Sequence, residues 1–122
     1  MSRDRQTVLV VDDDASIRLL CRVNLELEGW HVLEAASLAA ARAHVQDETP
    51  AVALLDVHIG MDDGVAFVEE LRRLRPGIAV ALLTGSADPD ASAADALIPK
   101  PFTLEQLVGT VRDLSGRSAA AR

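Results

Sequence analysis

Val52-Ala53-Leu54-Leu55-Asp56 decides how the rest of the chain is read. Consecutive apolar residues ended by a single carboxylate describe a strand buried on both faces. Such strands belong to parallel sheets with helices on either side. Asp56 then stands at the carboxyl end, where open α/β sheets hold their ligands. An isolated Asp in that position is ordinarily a turn residue or a helix cap. Repetition changes the reading. Val8-Leu9-Val10-Val11 runs into Asp12-Asp13-Asp14, and Ile78 to Leu83 runs into Thr84-Gly85. Ala96-Leu97-Ile98 leads on to Lys100-Pro101-Phe102. Carboxylates, a hydroxyl and an ammonium each close a separate apolar run, which is the pattern of a composed site.

Between these runs the spacing turns helical. Asp14 or Ser16 can cap a helix from about Ile17 to Glu28, with Ile17, Leu20, Cys21 and Leu27 on its apolar face and Asn24 beside them. Gly29 ends it, and Trp30 to Ala35 reads as a short strand onto which Trp30 packs the helix end. Ser37 can cap a second helix over about Leu38 to Gln46. His58-Ile59-Gly60-Met61-Asp62-Asp63-Gly64 is a loop of residues that tolerate unusual dihedrals. A third helix, about Val65 to Leu74, shows Phe67, Val68, Leu71 and Leu74 on one face before Pro76-Gly77. Thr103 and Gln106 form a capping box for a last helix with Leu104, Leu107, Val108, Val111 and Leu114 in helical spacing. Residues 115–122 read as a tail. Gly85 to Asp95 has no apolar stripe and contains Pro89, so the crossover helix between the fourth and fifth strands is expected to be truncated or missing.

Size and charge narrow the function. The 122 residues make one domain, expected to bury roughly two-thirds of its unfolded surface. With 49% hydrophobic and 25% charged residues the composition is that of a soluble globular protein. No apolar run nears the roughly 18 residues of a membrane span, and the Met-Ser-Arg-Asp-Arg start has no signal-peptide core. Cys21 is the single cysteine, so no internal disulfide forms, as in a cytoplasmic protein. A net charge of −7 argues against nucleic acid as a direct partner. Lys100 is the only lysine among 12 basic residues, which suggests that a compact, strongly hydrated charge is needed there.

Parallel strands joined by right-handed crossovers give a doubly wound α/β sheet. In the five-stranded order 2-1-3-4-5, the first and third strands are neighbours, so Asp12, Asp13 and Asp56 converge. Carboxylates that close together repel one another, and a bound cation resolves the repulsion. Oxygen-only ligands suit Mg²⁺, which keeps several waters and leaves room for phosphate oxygens. Lys100 and Thr84 stand where they can hold the remaining oxygens of a phosphoryl group. Asp56 is then a nucleophile that forms an acyl phosphate.

Val-Leu-Val-Val-Asp-Asp-Asp, Leu-Leu-Asp-Val-His-Ile-Gly-Met-Asp-Asp-Gly, Leu-Leu-Thr-Gly and Lys-Pro-Phe, in this order, resemble the receiver domain of bacterial response regulators. Each motif alone is weak, whereas the four together at successive strand ends are specific. The resemblance runs from Val8 to about Leu114. It implies the flavodoxin-like receiver fold, with Asp56 phosphorylated by a histidine kinase or histidine phosphotransfer protein. It also implies Asp13 as a direct Mg²⁺ ligand, Asp12 acting mainly through water, and the backbone carbonyl of His58 as a further ligand. Thr84-Gly85 matches the switch hydroxyl and its neighbour, Lys100 the charge partner, and the Lys100–Pro101 bond the family's cis peptide. Asp63-Gly64 matches the Asp-Gly that leads into the third helix.

The chain also departs from that family. Leu97 replaces the usual aromatic that follows the switch hydroxyl. Gly60 replaces the usual Pro four residues after the phosphorylated Asp, which is expected to loosen that loop. The interval from Thr84 to Lys100 is shorter than usual. A haloacid-dehalogenase-type phosphatase would need a second Asp where His58 stands and places its further acids late in the chain. A non-phosphorylated interaction module would not need Asp13, Asp56, Thr84 and Lys100 together. No P-loop is present, and His31, His44 and His58 lack metal-ligand spacing. Asp14 reads as a cap and Asp62 as a solvated loop residue. The expectation is a stand-alone receiver, or else a piece of a longer regulator or hybrid kinase, that signals through a downstream protein target. Its only catalysis is Mg²⁺-dependent self-phosphorylation from a phosphodonor and slow self-hydrolysis, and neither nucleic acid nor membrane is a partner.

Overall fold

The apolar runs become strands whose alternate residues face opposite layers. The chain folds as β1 (Thr7–Val11), α1 (Ala15–Leu27), β2 (His31–Ala35), α2 (Leu38–Asp47), β3 (Val52–Asp56), β4 (His58–Ile59), β5 (Asp62–Asp63), α3 (Gly64–Leu74), β6 (Ala79–Thr84), β7 (Ala96–Pro99) and α4 (Leu104–Ala120). This is a computed structural model, and it describes residues 6–85 and 94–120. Five parallel strands lie in the order β2-β1-β3-β6-β7, the expected 2-1-3-4-5 arrangement with β6 and β7 as fourth and fifth strands. The expected truncation of a crossover helix falls on residues 86–93, outside the described residues.

Both sheet faces are covered. Leu9, Val11, Ala53, Leu55, Val80 and Leu82 pack against Ala41 and Val45 of α2 and Phe67, Val68 and Leu71 of α3. The intervening residues Val8, Val10, Val52, Leu54, Ala81 and Leu83 pack against Cys21 and Leu25 of α1 and Leu107, Val111 and Leu114 of α4. Burial pushes the Cys21 thiol up to about 12, so it is an inert core group at neutral pH. Leu54 lies fully buried in the middle strand. Leu54→Ala is expected to lose about 2–5 kcal/mol of stability, read from urea unfolding. A loss under about 1 kcal/mol would contradict this packing.

Local signals set the helix starts. Asp14 accepts from the N–H groups of Ser16 and Ile17, Ser37 from Ala40, and Asp63 from Val65 and Ala66. Thr103 and Gln106 bond reciprocally, at 2.8 and 3.0 Å. Gly29 takes φ +97°, and Trp30 N–H returns to the Leu25 carbonyl at 3.1 Å. Trp30 is partly buried against the core cluster that contains Cys21, Leu25 and Val32.

Three readings need correction. Leu20 and Leu27, expected on the covered face of α1, are 41% and 78% exposed, and Leu25 is buried in their place. The row Cys21–Leu25, one turn apart, meets the sheet, and this turns Leu20 and Leu27 outward. Leu74 and Leu104 likewise stand partly in solvent. The loop after Asp56 is ordered as a short antiparallel ribbon, with His58 opposite Asp63 and Ile59 opposite Asp62. Gly60, at φ +61°, opens its two-residue turn. Finally, α4 continues to Ala120, past Leu114, where the apolar stripe ends. Once nucleated, a helix adds residues through backbone bonds without needing an apolar face.

Candidate functional site

The strand alternation also decides where the polar ends point. Val8 and Val10 face the α1–α4 layer, and Asp12 follows them at the same parity. Val52 and Leu54 do the same for Asp56, and Ile98 for Lys100. Because β1 and β3 are neighbours, the carboxylates meet at one sheet edge. Ligand oxygens of Asp12, Asp13 and Asp56 lie within 4.8 Å of one another. Asp12 is wholly buried, Asp56 partly buried and Asp13 exposed.

Each carboxylate is held. Lys100 Nζ donates to Asp12 Oδ2 at 3.1 Å and to Asp56 Oδ2 at 3.2 Å. Asp12 Oδ1 accepts from Asp14 N–H at 2.9 Å, and Asp56 Oδ1 from His58 N–H at 3.2 Å. Asp13 Oδ2 accepts from Gly60 N–H at 2.9 Å. Burial raises the Asp12 pKa above its ordinary value; the Asp14 N–H and Lys100 pull it down, and the Asp56 charge adds to the rise. Burial pulls Lys100 down, but its bonds and attraction to Asp12 and Asp56 outweigh this and hold it above the ordinary lysine value. Lys100 thus stands as an ammonium at neutral pH, bonded to two carboxylates.

The other expected residues sit nearby in different ways. Thr84 ends β6 and is buried, and its carbonyl accepts the Lys100 N–H at 2.7 Å, tying the two strand ends together. Gly85 follows it directly. The Lys100–Pro101 peptide is cis. Leu97 lies on the edge strand β7 and is half exposed.

Two features were not legible in the sequence. Arg18 Nη1 donates to the Asp12 carbonyl at 2.7 Å while its Nε pairs with Glu34 at 3.2 Å, and Arg22 also binds Glu34. This brace steadies the Asp12 backbone, and only the β1–β2 register brings Glu34 to it. Gly64 is the second. A Cβ there would lie 1.9 Å from the Asp56 carbonyl oxygen. The Asp63-Gly64 pair was visible as a motif, but this contact was not.

Three carboxyl groups face one ammonium, so acidic groups outnumber basic ones in this partly buried pocket. That excess, on oxygen donors alone, fits a hard divalent cation. Beside it stands a carboxylate, Asp56, whose oxygens are already oriented, together with a fixed cation. Such a site can accept an electrophilic phosphoryl group.

The fold and this site define a class, and comparison with known proteins agrees. Residues 8–112 match the response regulator receiver domain family, and the chain belongs to it. It is 32% identical to the phosphate regulon transcriptional regulatory protein PhoB of Pseudomonas aeruginosa, over 93% of this chain and 53% of that protein. The chain thus spans about half the length of the curated relatives it matches. Among solved structures, it resembles a CheY-like receiver domain protein from Methanospirillum hungatei with a TM-score of 0.91 at 28% identity, covering 98% of this chain and 100% of the other. It also resembles the chemotaxis protein CheY4 of Vibrio cholerae, with a TM-score of 0.84 at 29% identity, covering 90% and 98% respectively. The chain is therefore a receiver domain of the two-component type.

Proposed function

We propose that Asp56 accepts a phosphoryl group from a phosphohistidine on a histidine kinase or phosphotransfer protein. The observation that carries this reading is the pairing of both Asp56 oxygens, one with Lys100 Nζ and one with His58 N–H, beside Asp12 and Asp13. An Asp56 carboxylate oxygen attacks phosphorus, the P–N bond breaks, and the imidazole nitrogen keeps the electron pair. Lys100 stays charged throughout and faces the incoming oxygens. Thr84 and the Gly85 backbone, at the adjoining strand end, are the groups to contact the transferred phosphoryl. Water later attacks the acyl phosphate and returns Asp56 and inorganic phosphate, slowly and without a dedicated enzyme site.

Asp13, Asp56 and the His58 carbonyl would hold Mg²⁺, with Asp12 acting through water. Bound there, Mg²⁺ supplies charge neutralisation for the phosphoryl oxygens. The expected output is altered binding of a downstream protein. Leu97 carries no polar tip whose exposure would differ between states, so the response does not run through an aromatic rotamer. Among the described residues no helix is long and apolar enough to cross a membrane. We place the protein in the cytoplasm with its kinase.

Acetyl phosphate with Mg²⁺ tests the reading. Intact-mass spectrometry should show the addition of one phosphoryl group, lost in hydroxylamine as an acyl phosphate is. No uptake by well-folded protein would overturn it. Asp13→Ala should weaken Mg²⁺ binding in calorimetry by about tenfold or more, since losing even an outer partner of a ligand costs that much. Unchanged affinity would mean that Asp13 is not a ligand.

A further inference from the structure

The Gly60 N–H bond to Asp13 crosses 47 residues of sequence and joins the ribbon turn to the metal pocket. Asp12 and Asp56 are each braced on both oxygens, from strand-end backbone and from Lys100. Asp13 has no such support. It is exposed, and Gly60 is its only hydrogen-bond partner among the described residues. Without that bond, an exposed carboxylate beside two others would swing away from them toward water. The bond holds Asp13 by one oxygen, Oδ2, and leaves Oδ1 for another partner.

Glycine makes this bond possible in two ways. Its backbone stands at φ +61°, which L side chains adopt only at a cost, Asn the least. It also keeps an N–H, which proline lacks. The ribbon pairs His58 with Asp63 and Ile59 with Asp62, so the turn is fixed at its base and its N–H is aimed at Asp13. A glycine at this point therefore does more than loosen a loop.

We propose that Gly60 is a positioning residue whose backbone N–H pre-orients the Asp13 carboxylate for the divalent cation. This rests on the receiver reading of the acidic pocket. Outer partners of metal ligands commonly contribute 10–100-fold to affinity through such orientation. Gly60→Pro removes the N–H and also forces φ negative, whereas Gly60→Asn keeps the N–H and tolerates positive φ. Exchange of the Gly60 N–H in wild type and in Asp13→Ala is therefore measured beside them, to separate the bond from the turn.

The test is calorimetric titration of Mg²⁺ into the full chain and its variants, with thermal melting in EDTA as a check of folding. Gly60→Pro should bind Mg²⁺ about tenfold more weakly, and Gly60→Asn within about twofold of wild type. Equal or tighter binding by Gly60→Pro would overturn the proposal. So would equal weakening in both variants, because the cause would then be the turn and not the N–H. If Gly60→Pro fails to fold, amide exchange decides. The Gly60 N–H of wild type should exchange about tenfold more slowly than in Asp13→Ala, and equal rates would overturn the proposal. Failure of the receiver reading looks different: wild type itself would bind no Mg²⁺, or Asp13→Ala would bind it unchanged.

Discussion

Asp56→Asn is expected to take up no phosphoryl group from acetyl phosphate under conditions that label the wild type fully. The substitution preserves shape and replaces a charged nucleophile with an amide whose oxygen does not attack phosphorus. Its effect should therefore be loss of the reaction with the fold intact. The Lys100–Asp12 pair, at 3.1 Å in the wild type, keeps both its partners, and one carboxylate leaves a pocket where acidic groups outnumber basic ones. Relief of that repulsion should leave the metal-free variant at least as stable as wild type. Intact mass and thermal melting in EDTA report the two halves of the prediction. Labelling of Asp56→Asn at the wild-type rate would move the phosphoacceptor elsewhere. A large fall in melting temperature would mean that Asp56 is chiefly a structural partner of Lys100.

Gly64→Ala should be among the most damaging single-methyl additions in the chain. Its Cβ would lie 1.9 Å from the Asp56 oxygen, 3.0 Å from the Asp56 carbonyl carbon and 3.1 Å from the Val57 oxygen. All of these are backbone atoms, so no side-chain rotation relieves the clash. Gly64 N–H also donates to the Val57 carbonyl at 2.7 Å, which pins the first residue of α3 against the end of β3. Either α3 must back away or the Asp56 backbone must shift, and both disturb the site. The expected loss is about 3 kcal/mol, the upper part of the overpacking range, with slower phosphoryl uptake in the molecules that fold. Gly77→Ala is the control. Nothing lies within 4 Å of a Cβ there, and it should change stability by less than about 1 kcal/mol. Urea unfolding of the pair decides, and equal stability of the two variants would refute the close approach.

Much of this architecture was legible because its causes are local. An apolar run of four to six residues cannot be solvated on either face, so Val8–Val11, Val52–Leu55 and Ile78–Leu83 had to become covered strands. Each run ends in a polar group, and parallel strands put those ends on one side. Ser37 and the Thr103–Gln106 pair mark helix starts through bonds that span only three residues.

Other features depended on neighbours distant in sequence. Leu20, Leu25 and Leu27 are equally apolar, and the angle at which α1 meets the sheet decided that Leu25 is buried and Leu27 stands 78% exposed. The brace from Glu34 through Arg18 to the Asp12 carbonyl exists because β2 lies beside β1 in one register. The fit of Gly64 against Asp56, and the bond from Gly60 to Asp13, depend on how a two-strand ribbon folds back beneath the site. Residue type and spacing by themselves determined the five strands of the main sheet, the caps and the gathering of Asp12, Asp13, Asp56 and Lys100 at one sheet edge, because burial and capping act within a few residues. Only the tertiary structure decided which donor steadies each carboxylate, because a hydrogen bond is set by ångström distances between segments that the sequence keeps far apart.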